Sequence, residues 1–124
     1  MSFDLVLYCK KMAPAEGFAD WFDEQLDVDG ADEPDVIFSQ SLKSAFLAII
    51  EEFPPMNGPL APSDDEINDD EALESRLVDY DIKPLMIYAS IAWSMAEEAT
   101  VTFYELAEEH GVGLYNPQSG DIIL

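Results

Sequence analysis

Apolar and polar positions alternate in the first ten residues. Phe3, Leu5, Leu7 and Cys9 fall on one side of an extended chain and Asp4, Val6, Tyr8 and Lys10 on the other, which predicts a strand with one strongly apolar face over residues 3–10. The period then lengthens. Pro14 suits the first turn of a helix, where a missing N–H costs nothing, and Phe18, Trp21, Phe22 and Leu26 follow at helical spacing. Glu16, Asp20, Asp23, Glu24 and Asp27 take the other side, so this is an amphipathic helix laid on a sheet. After the polar break DVDGADEPD, the residues Leu42, Ala45, Phe46, Ile49, Ile50 and Phe53 form an unbroken helical stripe. That helix begins between Asp35 and Ser41 and is stopped by Pro54 and Pro55.

From Pro54 to about Ser75 the chain turns to proline, glycine and acid, PPMNGPLAPSDDEINDDEALES, and reads as a mobile excursion over the surface. Ser63 and Glu66 have the spacing of a capping box, and Asp64 and Asp65 favour a helix N-terminus, so a short helical turn fits within it. Strand patterns return at 77–82 and 85–93, separated by Lys83 and Pro84; Pro84 excludes one continuous central strand. In the second run Leu85, Ile87, Ala89, Ile91 and Trp93 share one face and Met86, Tyr88, Ser90 and Ala92 the other, apolar enough on both sides for a central strand.

Ser94 and Glu97 form a second capping-box pair, followed by the stripe Ala99, Thr102, Phe103, Leu106 and His110. Gly111 stands where a left-handed residue ends a helix, with Val112 as the apolar partner of that cap. His110 reads as a helix-end residue facing the last carbonyls rather than as a ligand or base. Residues 112–115 and 121–124 then pair as a hairpin through a turn containing Pro117 and Gly120. The predicted order is βααββαββ. It implies an α+β fold with an antiparallel or mixed sheet of about four to five strands and helices packed on one face, an order that admits a ferredoxin-like arrangement with additions.

Composition changes this picture in one respect. A chain of 124 residues with 48% hydrophobic residues suits one α+β domain spanning residues 1–124, with its acidic excursion at about 54–75. Charge is the outlying feature. Five Lys and Arg oppose 27 Asp and Glu, a formal net charge of −22, which repels nucleic acid and anionic membrane and attracts basic partners. Solubility or adaptation to salt is the competing explanation.

The start MSFDLVLYCKKMAP lacks the order of a secretory signal, no apolar run approaches the roughly 20 residues needed to span a bilayer, and the lone Cys9 reads as a buried thiol. A reducing cytoplasm fits these features. Catalytic motifs are missing: there is one His, one Cys, and no GxSxG, Walker, HExxH or CxxC pattern, so no catalytic residue is assigned and an enzyme is not expected. DVDGADE, residues 27–33, places its glycine too early for a calcium loop, and DDEINDDE, residues 64–71, reads as a solvated charge run; no metal or cofactor site is assigned.

SFDLVLYCK, FLAIIEEFPP, IYASIAWSMAEEA and LAEEHGVGLYNPQSGDI together resemble a loose group of small bacterial proteins, some of them immunity proteins that accompany polymorphic or secreted toxins. Charge and resemblance together imply an acidic protein that neutralises a basic toxin, such as a nuclease, by presenting carboxylates where the toxin expects phosphates. Two clusters are candidates for that surface: Glu16, Asp20, Asp23, Glu24 and Asp27, and Asp64, Asp65, Glu66, Asp69, Asp70 and Glu71, with an exposed aromatic as the desolvated anchor. The alternative is an acidic structural or regulatory domain, homodimeric through an exposed sheet edge, with no toxin partner.

Overall fold

Strand β1, Phe3–Tyr8, is apolar on both sides in the folded chain. Leu5 and Leu7 are buried on one face of the sheet, Val6 and Tyr8 on the other. Such a strand needs a neighbour along each edge and a layer over each face. In the computed structural model, β3, Met86–Ile91, pairs antiparallel along one edge, from Phe3 opposite Ile91 to Tyr8 opposite Met86. Strand β4, Gly113–Asn116, pairs antiparallel along the other, with Val6 opposite Tyr115 and Tyr8 opposite Gly113. The Tyr8 ring lies over Gly113, where a Cβ would come within 2.1 Å of it, so only glycine fits there.

Strand β2, Asp79–Ile82, adds beyond β3, and the two-residue β5, Asp121–Ile122, adds beyond β4. Among the described residues the sheet has five strands in the order β2-β3-β1-β4-β5, every pair antiparallel. The structure describes residues 3–14, 16–30, 34–56, 58, 60–69 and 71–124, without the side chains of Ile67, Asn68, Glu71 and Ala72.

The helices are α1, Phe18–Leu26, α2, Gln40–Glu52, α3, Asp64–Asp69, α4, Glu71–Arg76, and α5, Ala96–His110. The protein is α+β, as the pattern predicts. With α2 between β1 and β2 and α5 between β3 and β4, the inner order β4-β1-β3-β2 is compatible with the split β-α-β connectivity of a ferredoxin-like arrangement, to which α1, α3, α4 and β5 are additions. Both large helices pack on one face. Leu42, Ala45, Phe46 and Ile49 of α2 and Ala99, Phe103 and Ala107 of α5 enclose Leu5, Leu7, Ile87, Ala89, Ile91 and Leu114. Ser39 caps α2, its Oγ accepting from the Leu42 N–H at 3.3 Å, within the predicted start.

One-face packing describes α2 and α5, while α1 takes the opposite face. Val6, Tyr8, Met86, Tyr88 and Tyr115 form a second apolar surface there, which Phe18, Trp21 and Phe22 cover. Pro14 lies before this helix rather than in its first turn: α1 begins at Phe18, after Gly17 in the left-handed region at φ 76°.

The predicted strand 85–93 is shorter at both ends. Trp93–Met95 forms a 3₁₀ turn closed by the Met95 N–H on the Ala92 carbonyl at 2.9 Å, so Trp93 leaves the core face and is 51% exposed. This turn also displaces the second capping box. Met95 holds the cap position of α5, no side chain caps it, and Glu97 is already the second helical residue. At the other end of α5, Gly111 has φ 71°, its N–H donates to the Glu108 carbonyl and the Val112 N–H donates to the Ala107 carbonyl, the paired bonds of a Schellman motif.

Candidate partner-binding surface

Helix α1 carries the first acidic cluster because its apolar side is consumed by the sheet. Phe18 packs edge-on to Tyr8 at 4.9 Å and against Tyr115 at 4.8 Å, and Phe22 meets Tyr115 at 5.0 Å and Tyr88 at 6.4 Å. With that side fixed, Asp20, Asp23 and Glu24 are exposed, as are Glu16 before the helix and Asp27 after it. Two of the phenols beneath are pushed up: burial raises the pKa of Tyr8, and Tyr88 is raised by burial and by the hydrogen bond its hydroxyl donates to Asp4 at 2.6 Å.

The second cluster is more helical than the sequence implies, which admits one short turn. Ser63 makes the capping half of the predicted box, the Glu66 N–H donating to its Oγ at 3.3 Å, while the Glu66 carboxylate accepts from the Ser63 hydroxyl at 3.3 Å rather than from its backbone N–H. Asp64, Asp65, Glu66 and Asp69 are exposed on α3. Asp70 and the side chain of Glu71 lie outside the described residues.

Arg76, at the end of α4, ties this excursion down. Its Nε donates to the Glu52 carbonyl at 2.7 Å, its guanidinium reaches Glu52 at 3.3 Å and Glu98 at 3.0 Å, and its Cζ sits 4.5 Å above the Phe53 ring. Each exposed pair alone contributes little, but together they join α4 to the end of α2 and the start of α5.

The two acidic clusters are therefore not brought together. One lies on the α1 face of the sheet, and the other is attached to the ends of α2 and α5, which cover the opposite face.

Among the described residues no cation forms an ion pair with an acid of either cluster. Lys43 pairs with Asp35 at 3.8 Å, Arg76 is engaged as described, and Lys83 pairs with Asp81 at 3.2 Å. Lys10 and Lys11 are exposed in the turn after β1, where with Cys9, Ser39, Ser41, Gly111 and Val112 they line a cavity of ≈ 50 Å³. That volume is far below the several hundred Å³ of organic-ligand pockets. Among the described residues no group of three or more His, Cys, Asp or Glu is placed to hold a metal ion, and no helix is long and apolar enough to cross a membrane.

Two features of this surface escape the sequence pattern. Phe38, 75% exposed, stands in a segment that reads only as the approach to α2, and Lys83, 2% exposed, reads as a turn residue. The signal for Phe38 is its place just before the Ser39 cap: an apolar residue there ordinarily packs on the fourth helical residue, and that residue is Lys43.

No protein-family model matches the chain, and neither a curated protein nor a solved structure matches it.

Proposed function

We propose that this is a cytoplasmic, non-catalytic binding protein of the immunity type, which neutralises a basic toxin partner such as a nuclease by direct complex formation. The observation that carries the reading is the fixed, uncompensated acidic outer side of α1, held on the sheet by an aromatic layer on its inner side. A preorganised row of carboxylates meets a cationic active site without first paying to order itself, and its field speeds encounter. The excursion on α3 adds a second negative field that steers even where it makes no contact.

Homodimerisation through a sheet edge is less well supported. The β2 edge exposes Asp79 and Asp81 in alternation with buried Tyr80 and Ile82, and a second copy would bring like charges to the same seam.

The test is recovery of the native partner by affinity capture, followed by binding of that purified partner at two salt concentrations. A basic protein whose association slows by an order of magnitude or more as salt rises supports the reading. Recovery of the chain alone, as a dimer indifferent to salt, overturns it.

A further inference from the structure

Lys83 is the buried cation of this molecule, and its placement organises a surface. Its ammonium donates to the carbonyl oxygens of Leu26, at 3.2 Å, and Val28, and pairs with Asp81 at 3.2 Å. Two hydrogen bonds and an ion pair thus compensate the charge, the condition under which a buried ammonium is tolerated. Leu26 ends α1, where carbonyls lack helical partners and the dipole is negative, so the lysine pins the segment after the helix to the β2–β3 turn. The next residue pins another segment: the Phe38 N–H donates to the Pro84 carbonyl at 2.8 Å. Ile37 is buried beside it, so Phe38 projects from a backbone fixed on both sides.

Two consecutive residues, Lys83 and Pro84, therefore anchor at one turn two segments that carry exposed apolar side chains: Leu26 and Val28 on one, Val36 and Phe38 on the other. Phe38 meets no other aromatic ring among the described residues and is the most exposed of the large apolar side chains described, against 51% for Trp93, which lies 5.3 Å from Phe3, and 38% for Tyr104.

We infer that these side chains form one patch, centred on Phe38, that is the docking surface for a basic protein partner, and that the α3 cluster is not. The inference rests on the function proposed above and assigns its site. Charge complementarity names the occupant. Asp27 lies between Leu26 and Val28, Asp29 follows, and Asp35 precedes Val36, all exposed, so the apolar centre has an acidic rim. Lys83 is buried against Asp81 and Lys43 offsets Asp35 alone, so Asp27 and Asp29 keep that rim negative. The matching surface is an apolar side chain surrounded by Lys or Arg. A rigidly held aromatic at the centre loses little freedom on binding and excludes water from the charges around it.

The experiment uses two synthetic probes at near-physiological salt, an 18-residue amphipathic helix of lysine and leucine and an 18-residue polylysine. Binding is measured by calorimetry and mapped by backbone amide shifts. The lysine–leucine peptide is expected to shift amides at 26–30 and 35–39, and Phe38→Ala to weaken it about tenfold while leaving polylysine binding and thermal unfolding unchanged. Asp64→Lys with Asp65→Lys is expected to weaken both probes alike, by the general loss of charge. If Phe38→Ala binds the peptide as well as the parent, or the shifts centre on 64–76, the docking surface is wrong while basic-partner binding stands. Absence of binding by either probe overturns both readings. A self-dimer that Phe38→Ala dissociates, with no peptide binding, makes a second copy the occupant and overturns the inference.

Discussion

The two faces of the sheet are built differently. Beneath α2 and α5 the layer is mainly aliphatic, and Phe46, Phe53 and Phe103 are fully buried in it. Beneath α1 it is aromatic: Tyr8, Tyr88 and Tyr115 meet Phe18, Trp21 and Phe22, and several of these rings stay partly open to solvent. Two long helices close the first face; one helix of nine residues covers the second. The first face is where burial free energy concentrates, and the second is where the fold presents a surface. An aromatic layer suits that purpose, because large rings bury much area per residue and position a short helix with few contacts.

Substitutions on each face measure this difference directly. Phe46→Ala is expected to cost about 3–5 kcal/mol in chemical denaturation, since Phe46 is fully enclosed and its cavity cannot collapse. Phe22→Ala on the other face is expected to cost about 2 kcal/mol, mostly lost transfer energy, because α1 is free to settle inward. Equal losses would mean that the faces are equivalent cores; a Phe46→Ala loss below about 1 kcal/mol would make α2 peripheral.

A smaller effect tests the joint between the layers. Gly111 carries the chain from α5 into β4, the strand that both faces share, and its φ of 71° is the left-handed region. Gly111→Val is expected to cost about 1–2 kcal/mol from backbone strain, with fluorescence and amide exchange reporting the same loss on both faces. Loss confined to α1 would show that the joint does not couple them.

Alkali sharpens the comparison with no change visible at neutral pH. Burial raises the pKa of Tyr80, whose hydroxyl donates to the Phe53 carbonyl at 2.7 Å, far above the ordinary phenol value, and it raises Tyr8 and Tyr88 on the other face. The folded state keeps these protons when the unfolded chain has begun to lose them. Their contribution is therefore complete below about pH 10 and declines as pH rises above it. Denaturation midpoints should fall as pH rises above about 10, and Tyr80→Phe should flatten that fall more than Tyr8→Phe, because burial raises the Tyr80 phenol further.

Much of the architecture is legible in the residues. Leu5 and Leu7 announce a strand with an apolar face, the Leu42 to Phe53 stripe announces α2, and Gly111 with Val112 announces the end of α5. Each depends on a period or a cap that acts within a few residues. Ser94 and Glu97 show the limit of such signals. Their spacing suits a capping box, yet the chain leaves β3 through a 3₁₀ turn that starts the helix one residue late. The acidic clusters were equally legible as runs, and their separation was not.

Local pattern and total charge determined the strands, the long helices, the α+β class and the net charge of −22, because periodicity, capping and titratable composition are carried by neighbours along the chain. Tertiary structure alone decided that α1 crosses to the far face, that Arg76 spans Glu52 and Glu98, and that Lys83 and Pro84 anchor the segments of Leu26 and Phe38 at one turn. The physical reason is that these contacts join residues tens of positions apart. Which surface is left for an element, and which carbonyl is left for a buried ammonium, is settled only when the sheet has formed.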